Sequence, residues 1–152
     1  EESLIYGREL KDMPIITRGL SGLGCVAFSH GDSTQAQALY EELLQMCSSP
    51  ISLFGGQGLS GSDSAFMGAC LEELGGVVAA QGYHIWAARL WGAAEKLNET
   101  ATFHVSLHYP TFSEPWMAAA RTQLGEEAFS AAWAEGRSIT PGEVIHAVVG
   151  SF

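Results

Sequence analysis

Basic residues are scarce in this chain. Seven lysines and arginines stand against 17 aspartates and glutamates over 152 residues, which gives a formal net charge of −10. An electrostatic field of that sign repels phosphate backbones and anionic lipid headgroups. We therefore expect no direct contact with nucleic acid or with a membrane.

Long apolar runs and a secretion signal are also lacking. No apolar segment approaches the roughly 20 residues that cross a bilayer, and the first residues do not show the basic-then-apolar order of a signal peptide. The three cysteines, Cys25, Cys47 and Cys70, are far apart and form no CxxC pair, which favours reduced thiols. These absences predict a cytoplasmic protein.

The common motifs of catalysis are missing as well. The chain has no GxSxG elbow of serine hydrolases, and no lysine follows Gly61 to complete a P-loop. Adjacent glutamates such as Glu72 and Glu73 fit solvated helix faces and helix N-termini better than carboxylate catalysis. We therefore expect a protein that is not an enzyme and that carries no cofactor.

Two short patterns keep an enzyme or a metal site open as an alternative. Residues 56–61 (GQGLSG) have the glycine spacing of dinucleotide-binding loops, although no parallel strand follows them. His104 and His108 are four residues apart, the spacing of two metal ligands on one helix face, although Tyr109-Pro110 argues against a helix there. The alternative is a small-molecule or metal-binding enzyme domain that uses residues 55–63 and these histidines.

The most informative feature that is present is an internal repeat. A pattern of apolar residues and glycines recurs 51 positions later, and Tyr40 is answered by Trp91. In each copy an apolar helical face stops at a glycine and a second face starts a few residues on, which is typical of a helical hairpin. Such units stack, because one hairpin alone cannot bury its apolar side. The matched positions are Leu20, Leu23, Gly24, Val26, Gly31, Ala36 and Leu39, then Leu71, Leu74, Gly75, Val77, Gly82, Ala87 and Leu90.

The apolar periodicity predicts helices along almost the whole chain. Pro14 is expected to end the first helix, and Asp32 with Gln35 and Thr140 with Glu143 predict capping boxes at two later ones. The only strand-like run is residues 51–54. The predicted helices span residues 2–11, 15–29, 33–47, 64–80, 83–97, 113–124, 126–135 and 141–149.

These elements indicate an all-α fold in a single helical-repeat domain over residues 1–152. Residues 1–13 would end a preceding repeat, and residues 14–48 and 64–98 would each form a hairpin. Residues 49–63 would be a Gly/Ser-rich insertion, and residues 113–150 would form the C-terminal helices. Because the chain begins inside a helical pattern, we expect a fragment of a longer protein.

The paired Leu-x2-Leu-Gly pattern resembles the tetratricopeptide repeat, whose regular length of about 34 residues is extended here to 51 by the insertion. Residues 87–95, 118–129 and 132–137 are similar to the carboxy-terminal end of large bacterial signalling ATPases, including LuxR-type transcriptional regulators. This resemblance implies a tetratricopeptide-like stack of antiparallel helix hairpins with a short C-terminal helical bundle. In such proteins the ATPase and DNA-binding modules lie elsewhere in the chain.

For function, the resemblance implies a non-catalytic sensor or protein-interaction region. Its partners would be a protein or small-molecule effector and other domains of the same chain. A purely structural cap on the last repeats is a second alternative. If helices 15–29 and 64–80 line a concave face, matched repeat offsets place six binding candidates on it: Arg18, Ser21, Cys25, Phe28, Glu72 and Gly76.

Overall fold

The computed structural model describes residues 2–47, 61–101 and 113–149. These ranges contain eight α-helices and no strand, which confirms the all-α prediction. None of these helices combines the length and the apolarity that a bilayer crossing requires. The helices are α1 (Glu2–Leu10), α2 (Met13–Ser29), α3 (Ser33–Cys47), α4 (Gly61–Ala80), α5 (His84–Thr100), α6 (Glu114–Leu124), α7 (Glu126–Ser138) and α8 (Pro141–Val149).

The helix bounds follow the predicted ones closely, except that α4 begins three residues earlier and α5 and α7 each end three residues later than predicted. Helix α4 begins at Gly61, so residues 61–63 belong to this helix although the sequence pattern assigns them to the insertion. Asp63 lies in the first turn of α4, where a carboxylate is favoured by the helix dipole. The strand-like run at 51–54 lies outside the described residues.

Both predicted capping boxes place a side-chain oxygen at a helix start. At α3, the Gln35 amide donates to Asp32 Oδ1 at 2.9 Å. At α8, the Thr140 amide donates to Glu143 Oε2 at 2.8 Å, and the Glu143 amide donates back to Thr140 Oγ1 at 3.4 Å. These bonds satisfy amide groups that have no partner within the helix.

The end of α1 differs from the prediction. Pro14 does not end this helix, because α1 already stops at Leu10, where Lys11 adopts a left-handed φ of 54°. The Asp12 amide then donates to the Gly7 carbonyl at 2.9 Å. Pro14 lies in the first turn of α2, where a missing amide hydrogen costs nothing because that position has no helical acceptor.

The two copies of the repeat turn in the same way. Gly31, between α2 and α3, and Gly82, between α4 and α5, both have left-handed φ angles, of 83° and 91°. The amide after each glycine donates back into the preceding helix, from Asp32 to Ala27 at 2.9 Å and from Tyr83 to Val78 at 3.1 Å. The sequence repeat is therefore a repeat of turn geometry.

Replacing Gly31 or Gly82 with alanine should lower the free energy of unfolding by about 1 kcal/mol each, because a Cβ disfavours left-handed backbone. A Cβ at either position would have no atom within 4 Å, so the cost is purely conformational. Urea unfolding measures it. Asparagine, which tolerates this conformation, should restore part of the loss, and equal stabilities for the alanine and glycine proteins would contradict the assigned turns.

The helices within each hairpin approach through a glycine and an aromatic ring at matched positions. A Cβ built on Gly24 would lie 2.9 Å from Cζ of Tyr40, and one built on Gly75 would overlap the indole of Trp91. The Trp91 Nε1 donates to the Glu72 carbonyl at 3.1 Å. The exchange of Tyr40 for Trp91 between the copies thus preserves one packing arrangement, in which the glycine leaves room for the ring.

The hairpins pack side by side, and the last three helices close the structure. Helix α3 packs against α4, which joins the hairpin α2–α3 to the hairpin α4–α5. Helix α7 packs along α5, α6 lies against α4, α5 and α7, and α8 returns to α3 and α5. The largest fully buried side chains of the shared core include Tyr40, Leu43, Leu44, Leu71, Leu74, Leu90, Trp91 and Phe129.

Candidate functional site

The six predicted binding residues lie on α2 and α4, but they differ in exposure. Arg18 is exposed and Ser21 is fully buried, so only the first of this pair is accessible in the folded chain. Cys25 and Phe28 are half-buried on the same stripe of α2. On α4, Glu72 is half-buried and Gly76 is buried.

Helix α6 brings two of these residues together. The ring centroids of Phe28 and Trp116 are 5.8 Å apart with an interplanar angle of 49°. A Cβ built on Gly76 would lie 3.7 Å from Cδ1 of Trp116 and 3.8 Å from Cα of Ser113. The Trp116 indole therefore contacts α2 through Phe28 and α4 at Gly76, so α6 covers this end of the predicted binding face.

Glu72 lines a cavity that α6 borders through Met117. The cavity has a volume of about 470 Å³ and is formed by residues of α4, α5, α6 and α7. This volume lies within the range typical of small-molecule pockets. Its walls combine aromatic and thioether side chains with carboxylates and one amide. The lining residues are Glu72, Trp91, Glu95, Asn98, Glu99, Met117 and Trp133.

Hydrogen bonds hold the polar wall of this cavity in place. The Asn98 Nδ2 donates to Glu72 Oε1 at 3.0 Å, and the Trp133 Nε1 donates to Glu95 Oε2 at 2.8 Å. The Arg137 guanidinium bridges Glu95 and Glu99, reaching Glu99 Oε1 at 2.5 Å. The indole bond to Glu95, together with Arg137, lowers the pKa of that carboxyl, so Glu95 is ionised at neutral pH.

A second, smaller cavity of about 320 Å³ is also lined by Trp133. It shares Glu95 and Trp133 with the first and adds the guanidinium of Arg121, which lies 4.6 Å from the Phe129 ring centroid. The Trp133 indole consequently borders both spaces. Movement of this one ring would change the volume of each.

Glu73 is buried, which corrects the expectation that the Glu72-Glu73 pair lies on a solvated helix face. Its side chain is 8% exposed and receives a hydrogen bond from the Tyr40 hydroxyl of α3. Burial raises the pKa of Glu73 to about 7, with a further increase from the adjacent Glu72 and an opposing decrease from the Tyr40 bond. Glu73 is therefore a titratable group inside the contact between the two hairpins.

The cysteines are free thiols, as predicted, and they are poor nucleophiles. Burial raises the pKa of Cys47 to about 12, and burial also raises the pKa of Cys70. At Cys25 burial and the nearby Glu73 carboxyl raise the pKa as well. The thiolate is the reactive form, so these raised pKa values disfavour the reactive form of each thiol.

The alternative enzyme or metal site falls mostly outside the described residues. His104, His108 and residues 55–60 are not among them, so that alternative stays a prediction. Within the ranges that the structure covers, no three His, Cys, Asp or Glu side chains converge in a way that would hold a metal ion.

Sequence reasoning missed the cavity because its lining comes from four different helices, and most of the lining residues lie outside the repeat. Glu95 and Glu99 are four residues apart on α5, and Trp133 and Arg137 are four residues apart on α7. This spacing places each pair on one helix face. The acidic pair on α5 and the Trp133–Arg137 pair on α7 are complementary in charge and hydrogen bonding. This complementarity could have predicted the contact between α5 and α7.

The comparison with known proteins adds no family to these observations. No family model, no curated protein and no solved structure matches the chain. The resemblance to tetratricopeptide-like regions of bacterial regulators therefore stays a prediction from the sequence.

Proposed function

We propose that this chain is a non-catalytic sensor or partner-binding region built as a tetratricopeptide-like stack of helix hairpins, within a bacterial regulatory ATPase or transcriptional regulator. The matched turns at Gly31 and Gly82 and the matched glycine-aromatic contacts support a repeat architecture. Helical repeats use their surfaces to bind partners. The compartment we propose is the cytoplasm, where the three free thiols stay reduced.

The observation that carries this proposal is the 470 Å³ cavity between α4, α5, α6 and α7. Trp91, Trp133 and Met117 supply its apolar surface, and Glu72 and Asn98 supply fixed polar groups. An apolar pocket with a few oriented polar groups is the usual form of a small-molecule site. A small effector or one side chain of a partner protein fits this space.

The chemistry of the lining favours binding over catalysis. Glu95 and Glu99 are held by Arg137 in ion pairs, and the lining residues include no serine, cysteine or histidine that would act as a nucleophile or proton shuttle. A general acid or base works best with a pKa near the working pH, whereas the pKa values of Glu95 and Glu99 are lowered by their hydrogen bonds and ion pairs. This supports an effector site.

The four tryptophan indoles allow a direct test by NMR of the ¹⁵N-labelled protein. A panel of small cationic, anionic and neutral molecules and short peptides is titrated in. A ligand of the cavity should shift the Nε1–H signals of Trp91 and Trp133 together. The signal of Trp86, which lies 5.1 Å from the Arg89 guanidinium outside this cavity, should stay in place.

Neighbouring residues of α6 provide the matched control. Met117→Glu places a charge in the cavity wall, whereas Ala118→Glu places the same charge on the exposed face of the same helix. The ligand-induced shifts should disappear in the first variant and persist in the second. Shifts that survive Met117→Glu, or a panel that leaves Trp133 unchanged throughout, would refute the effector site.

A further inference from the structure

The cavity between α4, α5, α6 and α7 has an acidic wall. Three of its described lining residues are the carboxylates Glu72, Glu95 and Glu99, and no lysine or arginine is among the described lining residues. The whole chain has a net charge of −10, so its long-range field has the same sign as this wall. Anions are therefore repelled from the cavity, and cations are attracted to it.

Two cations of the protein contact this wall from outside the lining, and both contact its α5 side. Arg137 bridges Glu95 and Glu99. The Lys96 Nζ lies 2.7 Å from Glu99 Oε2. These contacts offset the two negative charges on α5, and the carboxylate of Glu72 on α4 adds a third. Glu72 is therefore the lining carboxylate that is best placed to hold a cationic ligand.

The hydrogen-bond donors of the lining already serve protein acceptors. Each indole has a single N–H, and that of Trp91 donates to the Glu72 carbonyl at 3.1 Å, while that of Trp133 donates to Glu95 Oε2 at 2.8 Å. The Asn98 Nδ2 donates to Glu72 Oε1 at 3.0 Å. A carboxylate only accepts and has room for about four hydrogen bonds, so the Asn98 bond does not exhaust that of Glu72. The cavity thus offers acceptors, and its ligand has to supply donors.

The arrangement of the carboxylates suits an organic cation better than a metal ion. In the part of the chain that the structure describes, no three His, Cys, Asp or Glu side chains form a group that could hold a metal. The negative charge is instead distributed around a cavity of about 470 Å³, which Trp91, Met117 and Trp133 also line. Indole faces attract cations, and apolar surface favours an apolar body. An organic cation matches both kinds of surface.

We infer that the effector of this cavity is a small protonated amine with an apolar body. Its ammonium group donates to the Glu72 carboxylate, and its body lies against Trp91, Met117 and Trp133. This inference rests on the proposed function, because it names the class of ligand for the same cavity. A hydrogen bond to a charged group is stronger than a neutral one, so the cavity prefers an amine to an alcohol of the same shape and rejects a carboxylate.

Three probes that share one indole body test the preference for a cation. Tryptamine carries an ammonium group, tryptophol carries a hydroxyl group in its place, and indoleacetate carries a carboxylate. Each unlabelled probe is titrated into the ¹⁵N-labelled whole protein, and the Nε1–H shifts of Trp91 and Trp133 give the dissociation constant. Tryptamine should bind about tenfold more tightly than tryptophol or better, because its ion pair with Glu72 adds to the hydrogen bond. Indoleacetate should leave both signals in place.

Removal of one charge tests the anchor. Glu72→Gln keeps the size of the side chain and an oxygen for the Asn98 bond, but it removes the negative charge. The affinity for tryptamine should fall about tenfold, whereas the affinity for tryptophol should not change. Glu127→Gln, at an exposed position of α7, is the matched control, because it changes the net charge equally outside the cavity. If Glu72→Gln does not fold, the ranking of the three probes on the original protein still decides the ligand class.

Two results would overturn the inference and leave the effector site standing. Either tryptophol or indoleacetate binds as tightly as tryptamine, or Glu72→Gln and Glu127→Gln have the same effect on tryptamine binding. In both cases a small molecule still occupies the cavity, but the amine or its anchor is wrong. If no probe and no member of the broader panel shifts the Trp91 and Trp133 signals, the effector site fails and this inference fails with it.

Discussion

Alanine in place of Gly92 or Gly136 is expected to destabilise the fold by about 3 kcal/mol, although alanine normally stabilises the interior of a helix by about 0.5–1 kcal/mol. The reason is the crossing of α5 and α7. A Cβ on Gly92 would overlap the Trp133 carbonyl oxygen, and a Cβ on Gly136 would overlap the Arg89 carbonyl oxygen. Backbone atoms cannot turn aside as a side chain can, so the two helices must separate.

Urea unfolding of the single and double variants checks this crossing. Gly142→Ala is the control, because a Cβ there meets nothing within 4 Å, and its stability should be unchanged or slightly raised. The double variant should lose less than the sum of the single losses, since the first substitution already forces the helices apart. Stabilisation by Gly92→Ala or Gly136→Ala would show that α5 and α7 do not cross at these residues.

The second large effect expected is a fall in stability as the pH rises from about 4.5 to about 7. The pKa of Glu73 is about 7 in the folded protein against an ordinary value of 4.5. In this interval the unfolded chain has released the proton while the folded chain retains it, so increasing pH favours unfolding. The loss amounts to about 3 kcal/mol and ends above pH 7, where both states are ionised.

The group responsible is identified by substitution. Glu73 faces the Tyr40 hydroxyl of α3, the Cys25 thiol of α2, and Cys70 and Glu72 of its own helix. Glu73→Gln keeps the shape and accepts the Tyr40 hydrogen bond without a charge. This variant should therefore match the original protein near pH 4.5 and exceed its stability at pH 8.

Chemical denaturation from pH 4 to pH 8 measures the difference between the two proteins. Taking the difference cancels the titration of the five histidines, which both proteins share. The exposed Glu127→Gln is the control and should leave the pH profile of the original protein in place. A difference between Glu73→Gln and the original that does not change with pH would exclude Glu73 as the titrating group.

The helices were predictable because their signals are local. Apolar spacing, the capping residues at Asp32 and Thr140 and the two turn glycines each act within a few residues, and each appears where expected. The prediction that Pro14 ends α1 was wrong, and the reason is also local. A proline is compatible with both the end of one helix and the first turn of the next, and Lys11 rather than Pro14 makes the break.

The sequence predicted the contacts between helices only in part. The repeat showed that Tyr40 corresponds to Trp91, but the role of the glycine 16 positions before each ring emerges only when the helices are packed. The docking of α6 was hidden because Trp116 lies outside the repeat, and its contact with Phe28 is distant in the chain. Periodicity identifies an apolar face but does not say which other face covers it.

The burial of Glu73 was also not predictable from the sequence, because it depends on which face of α4 is covered. Adjacent glutamates usually mark a solvated surface, yet α4 is buried over most of its circumference, so one of the pair must face inwards. The hydropathy of α4 alone does not reveal which of its faces meets water. Helices α3, α5 and α6 pack against α4, and their positions determine which of its faces is buried.

The central claim is that two hairpins repeat one packing arrangement and that α6 lies on the face they form. Nuclear Overhauser contacts test it most directly, measured on protein with labelled glycine and aromatic residues. The account predicts contacts from the Gly24 Hα to the Tyr40 ring, from the Gly75 Hα to the Trp91 indole, and between the Phe28 and Trp116 rings. Absence of the first two contacts in a folded sample would contradict the repeated hairpin, and absence of the third would contradict the position of α6.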